Sequence, residues 1–399
     1  MELSLAFWAT LLVAGAAYWL VAARNREWLL LAVSLVFLGA LAPWAVAGAV
    51  GLGLTVYGSL TRSGRADGGR ITRRLLIAAV LGYLIYFKYA PPIAAALGGL
   101  TGLFESSPSV ALPLGISYLT FKLLHVIIEV GRGTIAPASP KIFLLYLMFF
   151  AIYPAGPIER FDHFMANRET RASARMFAEG LTRIIHGMVK KFFIAEAILL
   201  PLVSEPRPTV AMFLAFPETY STPALWAHLA CWYLYAYLDF SAYTDIAIGS
   251  SRLFGFRIME NFNNPWLAIN IAGFWQRWHM SLAHWCRSYV YMPLIGLTRN
   301  PYLATYVTMI TIGLWHRGSM NWLCWGLYHA TGLAAYQTWQ RVKRARRWEL
   351  NAQPLTRNVG RVLTFAFVTA GYAFVVTDHL GVGAAFQLLA KLVGVDWAR

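Results

Sequence analysis

Charge is scarce in this chain. Of its 399 residues 13% are charged and 58% hydrophobic. A soluble domain carries about a quarter of its residues as charges, so this balance excludes one. Acids are scarcer still, with 18 Asp and Glu against 34 Lys and Arg. Cysteine is limited to Cys231, Cys286 and Cys324, an odd set in or beside apolar segments. With neither a disulfide framework nor a C-x-x-C pattern, these read as small packing residues. The sequence has no H-E-x-x-H helix, and His279, His284 and Cys286 do not share one helix face, so no metal site is expected. No G-x-S-x-G elbow is present, which argues against a serine hydrolase. No repeat at a fixed period and no matched halves are visible, unlike many transporters.

Long apolar runs are abundant instead. "LSLAFWATLLVAGAAYWLVAA" at 3–23 can cross a hydrocarbon core of roughly 30 Å as a helix. Similar runs follow at 28–60, 75–104, 111–130, 141–156, 184–203, 223–249, 302–316, 319–339, 362–377 and 383–394. Some are short and some hold two helices, so about ten to twelve passes or half-passes are expected. The chain reads as an all-α, polytopic membrane protein forming one membrane domain over 1–399, because no polar stretch is long enough for a soluble one.

Charge placement gives the expected topology. The first run has Glu2 ahead of it and Arg24 and Arg26 behind it, the reverse of a cleavable signal. Residues 22–27 are therefore expected in the cytoplasm. The run 28–60 must leave and return, with Pro43 as the turn, delivering "TRSGRADGGRITRR" to the same side. "RVKRARR" at 341–347 should face that side too. Much of the net charge of +16 thus reads as topology and contact with anionic headgroups of membrane lipids. These arginines flank spans and line no single basic surface, so no nucleic-acid partner is expected.

Two stretches break the span pattern. "ALPLGISYLTFKLLHVIIEV" holds Pro113, Gly115, Lys122, His125 and Glu129, and "YPAGPIERFDHF" (153–164) places two prolines and a glycine before a charged cluster. Irregular backbone at membrane depth needs protein or a wet cavity around it, so both are candidate re-entrant or interfacial cavity walls. Farther on, Trp275, Trp278, Leu282, Trp285, Tyr289 and Met292 step by 3 and 4, which predicts one continuous amphipathic helix with Asn270 as its N-cap. Such helices lie at membrane interfaces. His279 falls on a line with Ala283, Cys286 and Val290, small neighbours that predict open space beside the imidazole.

Among nine histidines, His279 in "RWH", His316 in "GLWHRGS" and His329 in "GLYHA" stand out. For His125, His186 and His228 the ordinary reading is a hydrogen bond to a neighbouring helix, and for His163 and His284 interfacial solvation. Asp239 and Asp245 lie within an apolar span, where an acid marks either a cavity or a buried pair, more often the pair.

The stretch "DFSAYTDIAIGSSRLFGFRIMENFNNPWLAINIAGFWQRWHMSLAHWCRSYVYMPL" with "GLWHRGSMNWLCWGLYHA" resembles the membrane-bound O-acyltransferases. "PLGISYLTFK" and "YPAGPIERF" are similar to the amino-terminal motifs of the bacterial branch of alginate O-acetylation and teichoic-acid D-alanylation proteins. The resemblance covers about residues 80–340, with 1–79 and 341–399 as flanking helices. It implies a ring of tilted and re-entrant helices around a central funnel in the bacterial cytoplasmic membrane. It implies His316 and His279 as catalytic residues, with His329 at a third, less defined position. The candidate substrate-tunnel residues around them are Trp275, Arg277, Trp278, Asp245, Asn261, Asn264, Trp315 and Arg317.

The chemistry fits the residue type. Neutral imidazole, with a reference pKa of about 6.5, can take a hydroxyl proton as the oxygen attacks a thioester. The developing charges need donors, which Arg277, Trp278, Trp315 or His279 could supply. The implied donor is acetyl-CoA or a phosphopantetheinyl acyl-carrier protein, with no permanently bound cofactor. The implied acceptor is an extracytoplasmic polysaccharide hydroxyl or a periplasmic partner acyltransferase. Acetyl is the leading acyl group and D-alanyl the alternative, and an exporter of envelope precursors is the competing class. Two departures stand out: Arg317 replaces the family's glycine after the histidine, and "RSY" at 287–289 replaces "RDY".

Overall fold

The computed structural model describes residues 4–63, 67–101, 112–136, 139–204, 209–348 and 354–395. Residues 205–208 of the polar "SEPRP", the end of the 75–104 run and part of the 341–361 stretch lie outside them. Among the described residues the structure is helical, and its single β-feature is a bridge between Arg168 and Phe256. Helices suit runs with no water to hydrogen-bond, because each backbone N–H finds its C=O within the same segment.

The chain divides into two compact units. The first comprises residues 1–186 and 243–259, and the second 187–242 and 260–399. The helices of the first are α1 (Leu5–Leu20), α2 (Ala23–Leu41), α3 (Pro43–Ser63), α4 (Asp67–Thr101), α5 (Ile116–Arg132), α6 (Pro140–Met148), α7 (Phe161–Ala166) and most of α8 (Ala174–Met188). The turn expected at Pro43 falls at Ala42, which leaves helical geometry so that Pro43 opens α3. Proline is tolerated there because the first helical N–H has no intrahelical partner to lose.

Helix α5 is almost wholly buried, and it carries a lysine inside. Lys122 is 1% exposed; its Nζ donates to the Tyr146 carbonyl at 2.9 Å and lies over the Tyr146 ring. The irregular segment 149–160 is packed in protein, as non-helical backbone at depth requires. Its buried Glu159 accepts from Met259 N–H at 2.8 Å and meets His163 Nδ1 at 2.5 Å. Phe7, Phe37, Phe149, Phe150 and Phe254 pack edge-to-face around it. Near the polar loop before α8, Arg252 bridges Glu169 and Glu179 at 2.8 and 2.9 Å. The hydrogen bond from Arg252 holds the Glu169 carboxyl below its ordinary range.

The second unit continues through a π-helical stretch, Val189–Leu199, then α9 (Leu200–Val203), α10 (Val210–Ala215) and α11 (Thr222–Leu253), whose last residues belong to the first unit. There follow α12 (Ile271–Trp275), α13 (Met280–Cys286), α14 (Met292–Thr298), α15 (Pro301–His316), α16 (Met320–Ala345), α17 (Pro354–Val376) and α18 (Val382–Leu392). The continuous helix predicted from Trp275 to Met292 is broken. Asn270 caps α12 as expected, accepting from Gly273 N–H at 2.8 Å, but α12 stops at Trp275. His279 is left-handed (φ 42°, ψ 53°), and Arg287–Tyr291 is π-helical. A regular 3-and-4 spacing survived in the sequence although the backbone turns between its members.

By length and apolarity, two described helices could span a membrane: Pro43–Arg62 and Pro354–Val376. The others expected to cross are shorter or mixed. The 32-residue α11 carries Asp239, Asp245 and Arg252, and the 26-residue α16 runs into "RVKRA".

Helices α15 and α16 touch backbone to backbone. A Cβ on Gly313 would come within 2.2 Å of the Trp322 carbonyl oxygen, and one on Gly326 within 2.7 Å of that of Met309. Such close approach is how helices pack where no water drives them together. Gly313→Val is therefore expected to destabilise the protein by about 1–3 kcal/mol through overpacking. Thermal unfolding in detergent checks this, and an unchanged midpoint would refute the backbone contact.

Candidate active site

Three imidazoles meet in the second unit because of how α15 and α16 end and begin. Asn300 caps α15, its side chain accepting from the Tyr302 and Leu303 N–H groups at 3.0 and 3.1 Å, with Pro301 in the first turn. The helix runs to His316, which places Trp315 inside and His316 at an exposed C-terminus. Ser319 then caps α16 through Trp322 N–H, and Trp322, Trp325 and His329 follow at helical steps on one face.

The rings form a connected box. The His316 ring stacks on Trp322 (4.6 Å, 22°) and stands edge-on to Trp325 at 5.8 Å. Trp325 meets His329 at 4.5 Å, and both meet Trp275 at 5.8 and 5.4 Å. Trp315 lies between the other two imidazoles, 4.8 Å from His316 and 6.0 Å from His279. His316 is the exposed member, whereas His279 and His329 are each 2% exposed.

His279 is held by a staple. Asn263 N–H donates to the Arg277 carbonyl at 3.0 Å, and Met280 N–H to the Asn261 carbonyl at 2.8 Å. The fully buried Asn261 also accepts from Ser281 Oγ at 2.6 Å. These bonds fix the left-handed turn, a conformation that costs a non-glycine residue about 1–2 kcal/mol and that histidine adopts more readily than most. The open space predicted beside His279 is absent: Phe240 stands edge-on to its ring at 4.8 Å. Because the residue caps α13 from a turn, its side chain leaves the line of small residues altogether.

Polar atoms are left over in the box. His279 Nε2, His329 Nδ1 and Trp275 Nε1 are buried without a hydrogen-bond partner. Such atoms ordinarily cost free energy, and they recur at sites that await a ligand or water. Trp275 also lines a cavity of about 340 Å³ together with Gln276, Arg287, Tyr291, Thr308 and Gln337. Its indole therefore stands between the imidazole box and this space, whose walls also include Ala272, Met309, Ile312 and Leu333. Among the described residues no three His, Cys, Asp or Glu side chains gather to hold a metal ion.

The remaining tunnel candidates lie elsewhere. Trp278 is stacked between Phe274 and Tyr233, each 5.5 Å away, and packs rather than faces the box. Arg277 donates to the Asn263 carbonyl, and Asn264 is a left-handed turn residue before Pro265. Asp245 belongs to the other unit and is paired with Arg183 at 2.7 Å; Asp239 is paired with Lys191 at 2.5 Å. Arg317, next to His316, is turned to Asp378 at 2.9 Å with its side chain 69% exposed, and Ser319 Oγ bonds the same carboxylate. Sequence reasoning missed Trp322, Trp325, Phe240 and Asp378. The two tryptophans stood in view, at steps of 3 and 4 to His329; Asp378, 61 residues from Arg317, gave no local signal.

The model of the membrane-bound O-acyltransferase family matches residues 109–363. The chain is 34% identical over 407 residues to a probable alginate O-acetylase of Azotobacter vinelandii, covering 95% of this chain and 75% of the relative. It is 33% identical over 391 residues to the corresponding protein of Pseudomonas aeruginosa, covering 92% and 69%. A teichoic acid D-alanyltransferase of Bacillus subtilis is 30% identical over 278 residues, covering 65% and 67%.

The staple generates a prediction of its own. Asn261→Ala removes a buried hydrogen bond and should lower stability by about 1–3 kcal/mol. His279→Asn, which tolerates the left-handed turn, should leave the unfolding midpoint closer to wild type than His279→Val does. Equal midpoints for the two His279 variants would show that the turn imposes no conformational demand.

Proposed function

This chain belongs to the membrane-bound O-acyltransferase family, and from that premise we propose that it transfers an acetyl group from a cytoplasmic thioester to an extracytoplasmic hydroxyl. The acceptor in this reading is a cell-envelope polysaccharide or a periplasmic partner acyltransferase, and the donor is acetyl-CoA or an acyl-carrier thioester. The observation that carries it is the imidazole box: one exposed histidine, His316, joined through Trp315 to a buried one whose Nε2 has no partner. Acetyl leads because the relatives named for O-acetylation align over 68–95% of the chain, whereas those named for D-alanylation align over 64–67%. D-alanyl transfer from a carrier protein is the second reading, favoured by that 30% identity.

In the proposed reaction His316 takes the acceptor hydroxyl proton while the oxygen attacks the thioester carbonyl. The tetrahedral oxyanion is met by N–H donors of the box, for which Trp315, Trp275 and His279 are the candidates. Collapse breaks the carbon–sulfur bond, the thiolate leaves, and the imidazolium returns its proton to the sulfur. The histidine is regenerated and no redox partner is needed. Trp322, stacked on His316, would hold the ring in place. The reading sets this chemistry in a multi-pass protein of the bacterial cytoplasmic membrane, a ring of about ten to twelve tilted and re-entrant helices around a funnel. The donor then stays inside and the acceptor outside.

Replacing His316 by Ala is expected to reduce transfer by about 100-fold or more, the usual worth of a general base, without affecting membrane insertion. Transfer of label from acetyl-CoA and from a D-alanyl carrier, measured in membranes, tests both the residue and the acyl group. Wild-type product levels in the variant would remove His316 from the mechanism.

A further inference from the structure

A second cavity in the second unit, of about 720 Å³, lies between α16 and α17. Its size falls within the roughly 300–1,000 Å³ of ligand sites. The walls are mostly apolar: Ala335, Leu363 and Phe367 line it, with Tyr336, Gln340 and Arg357 among its polar members. Helix α17 is one of the two helices apolar enough to span a membrane, and Leu355, Val362 and Leu363 are exposed on it by 71, 67 and 64%.

Among the described residues, the charge on the chain segments that flank this groove, 341–348 and 354–361, is of one sign. Arg341, Lys343, Arg344, Arg346 and Arg347 close α16, and Arg357 and Arg361 open α17. Among the described residues none of these seven has a carboxylate partner. Two lie over aromatic rings instead, Arg341 on Tyr302 and Arg346 on Trp348. An uncompensated basic cluster next to an apolar groove at a helix end is complementary to one class of ligand, a molecule with an anionic head and hydrocarbon tails.

We propose that the groove between α16 and α17 is a binding site for an anionic phospholipid of the bilayer, its phosphate at Arg357 and an acyl chain along Ala335, Leu363 and Phe367. The groove backs onto the imidazole box, since its wall residue Phe367 stands edge-on to His329 at 5.6 Å, but among the described residues no imidazole lines it. A basic surface alone would attract any anion, whereas the cavity adds a requirement for tails.

Native mass spectrometry of the purified full chain in neutral detergent, with dioleoyl phosphatidylglycerol and dioleoyl phosphatidylcholine in equal amounts, tests the site. The phosphatidylglycerol adduct should be favoured about tenfold. Arg357→Gln should reduce that preference about fivefold, the worth of one basic residue near anionic lipid. Ala335→Trp, which fills the groove without touching a cation, should abolish it while thermal unfolding stays as in wild type. Should that variant fail to fold, Leu363→Trp from the opposite wall replaces it. Equal adducts of the two lipids on the wild type would overturn the proposal. So would an undiminished preference in the filled variant, or displacement of the lipid by millimolar inorganic phosphate.

Discussion

A polar atom taken out of water must find a partner inside the protein or raise the free energy by about 1–3 kcal/mol or more. In a chain this apolar, that constraint sorts the buried polar groups into two kinds. Lys122 is spent on the Tyr146 carbonyl, Asp245 on Arg183, Asp239 on Lys191 and Glu159 on His163 and Met259. These satisfied groups hold irregular backbone and long helices in place. Other buried atoms without a partner, such as Ser250 Oγ and Thr369 Oγ1, are scattered, but His279 Nε2, His329 Nδ1 and Trp275 Nε1 are gathered on the rings of one cluster. A lone orphan would be an imperfection of packing. Their meeting around an exposed imidazole is the observation on which the proposed chemistry rests.

The sequence made the residue types legible and the backbone between them less so. Composition and run length indicated helices at membrane depth, and the Gly-Leu-aromatic-His patterns pointed to His316 and His329. Periodicity misled at Trp275–Met292, because spacing reports which residues could share a face only while the helix continues. A single left-handed residue at 279 sends Trp275 to the imidazoles and leaves Trp278 stacked on Phe274 and Tyr233. Nothing local foretells such a turn, since it is enforced by Asn261 and Asn263 from the preceding loop.

Ionisable residues show the same limit from another direction. An acid within an apolar run is expensive, which made a buried pair the more frequent expectation for Asp245 although it was also a tunnel candidate; cost alone does not say whether a cavity or a cation meets it. Here Arg183 does. Arg317 is the converse: its position after His316 invites a role at the site, but its guanidinium is directed to Asp378 at the end of α17. Partners remote in sequence decided both.

The backbone contact at Gly313 and Gly326 bears on how the protein could move. With no side chains to slide past each other, α15 and α16 are locked as one rigid body that carries His316, Trp322, Trp325 and His329 together. The opposite side of the box is fixed as well, by the bonds that tie Asn261 and Asn263 to the backbone at 277 and 280. A substitution that parts the two helices at Gly313 would therefore shift His316 relative to Trp322, Trp325 and His329.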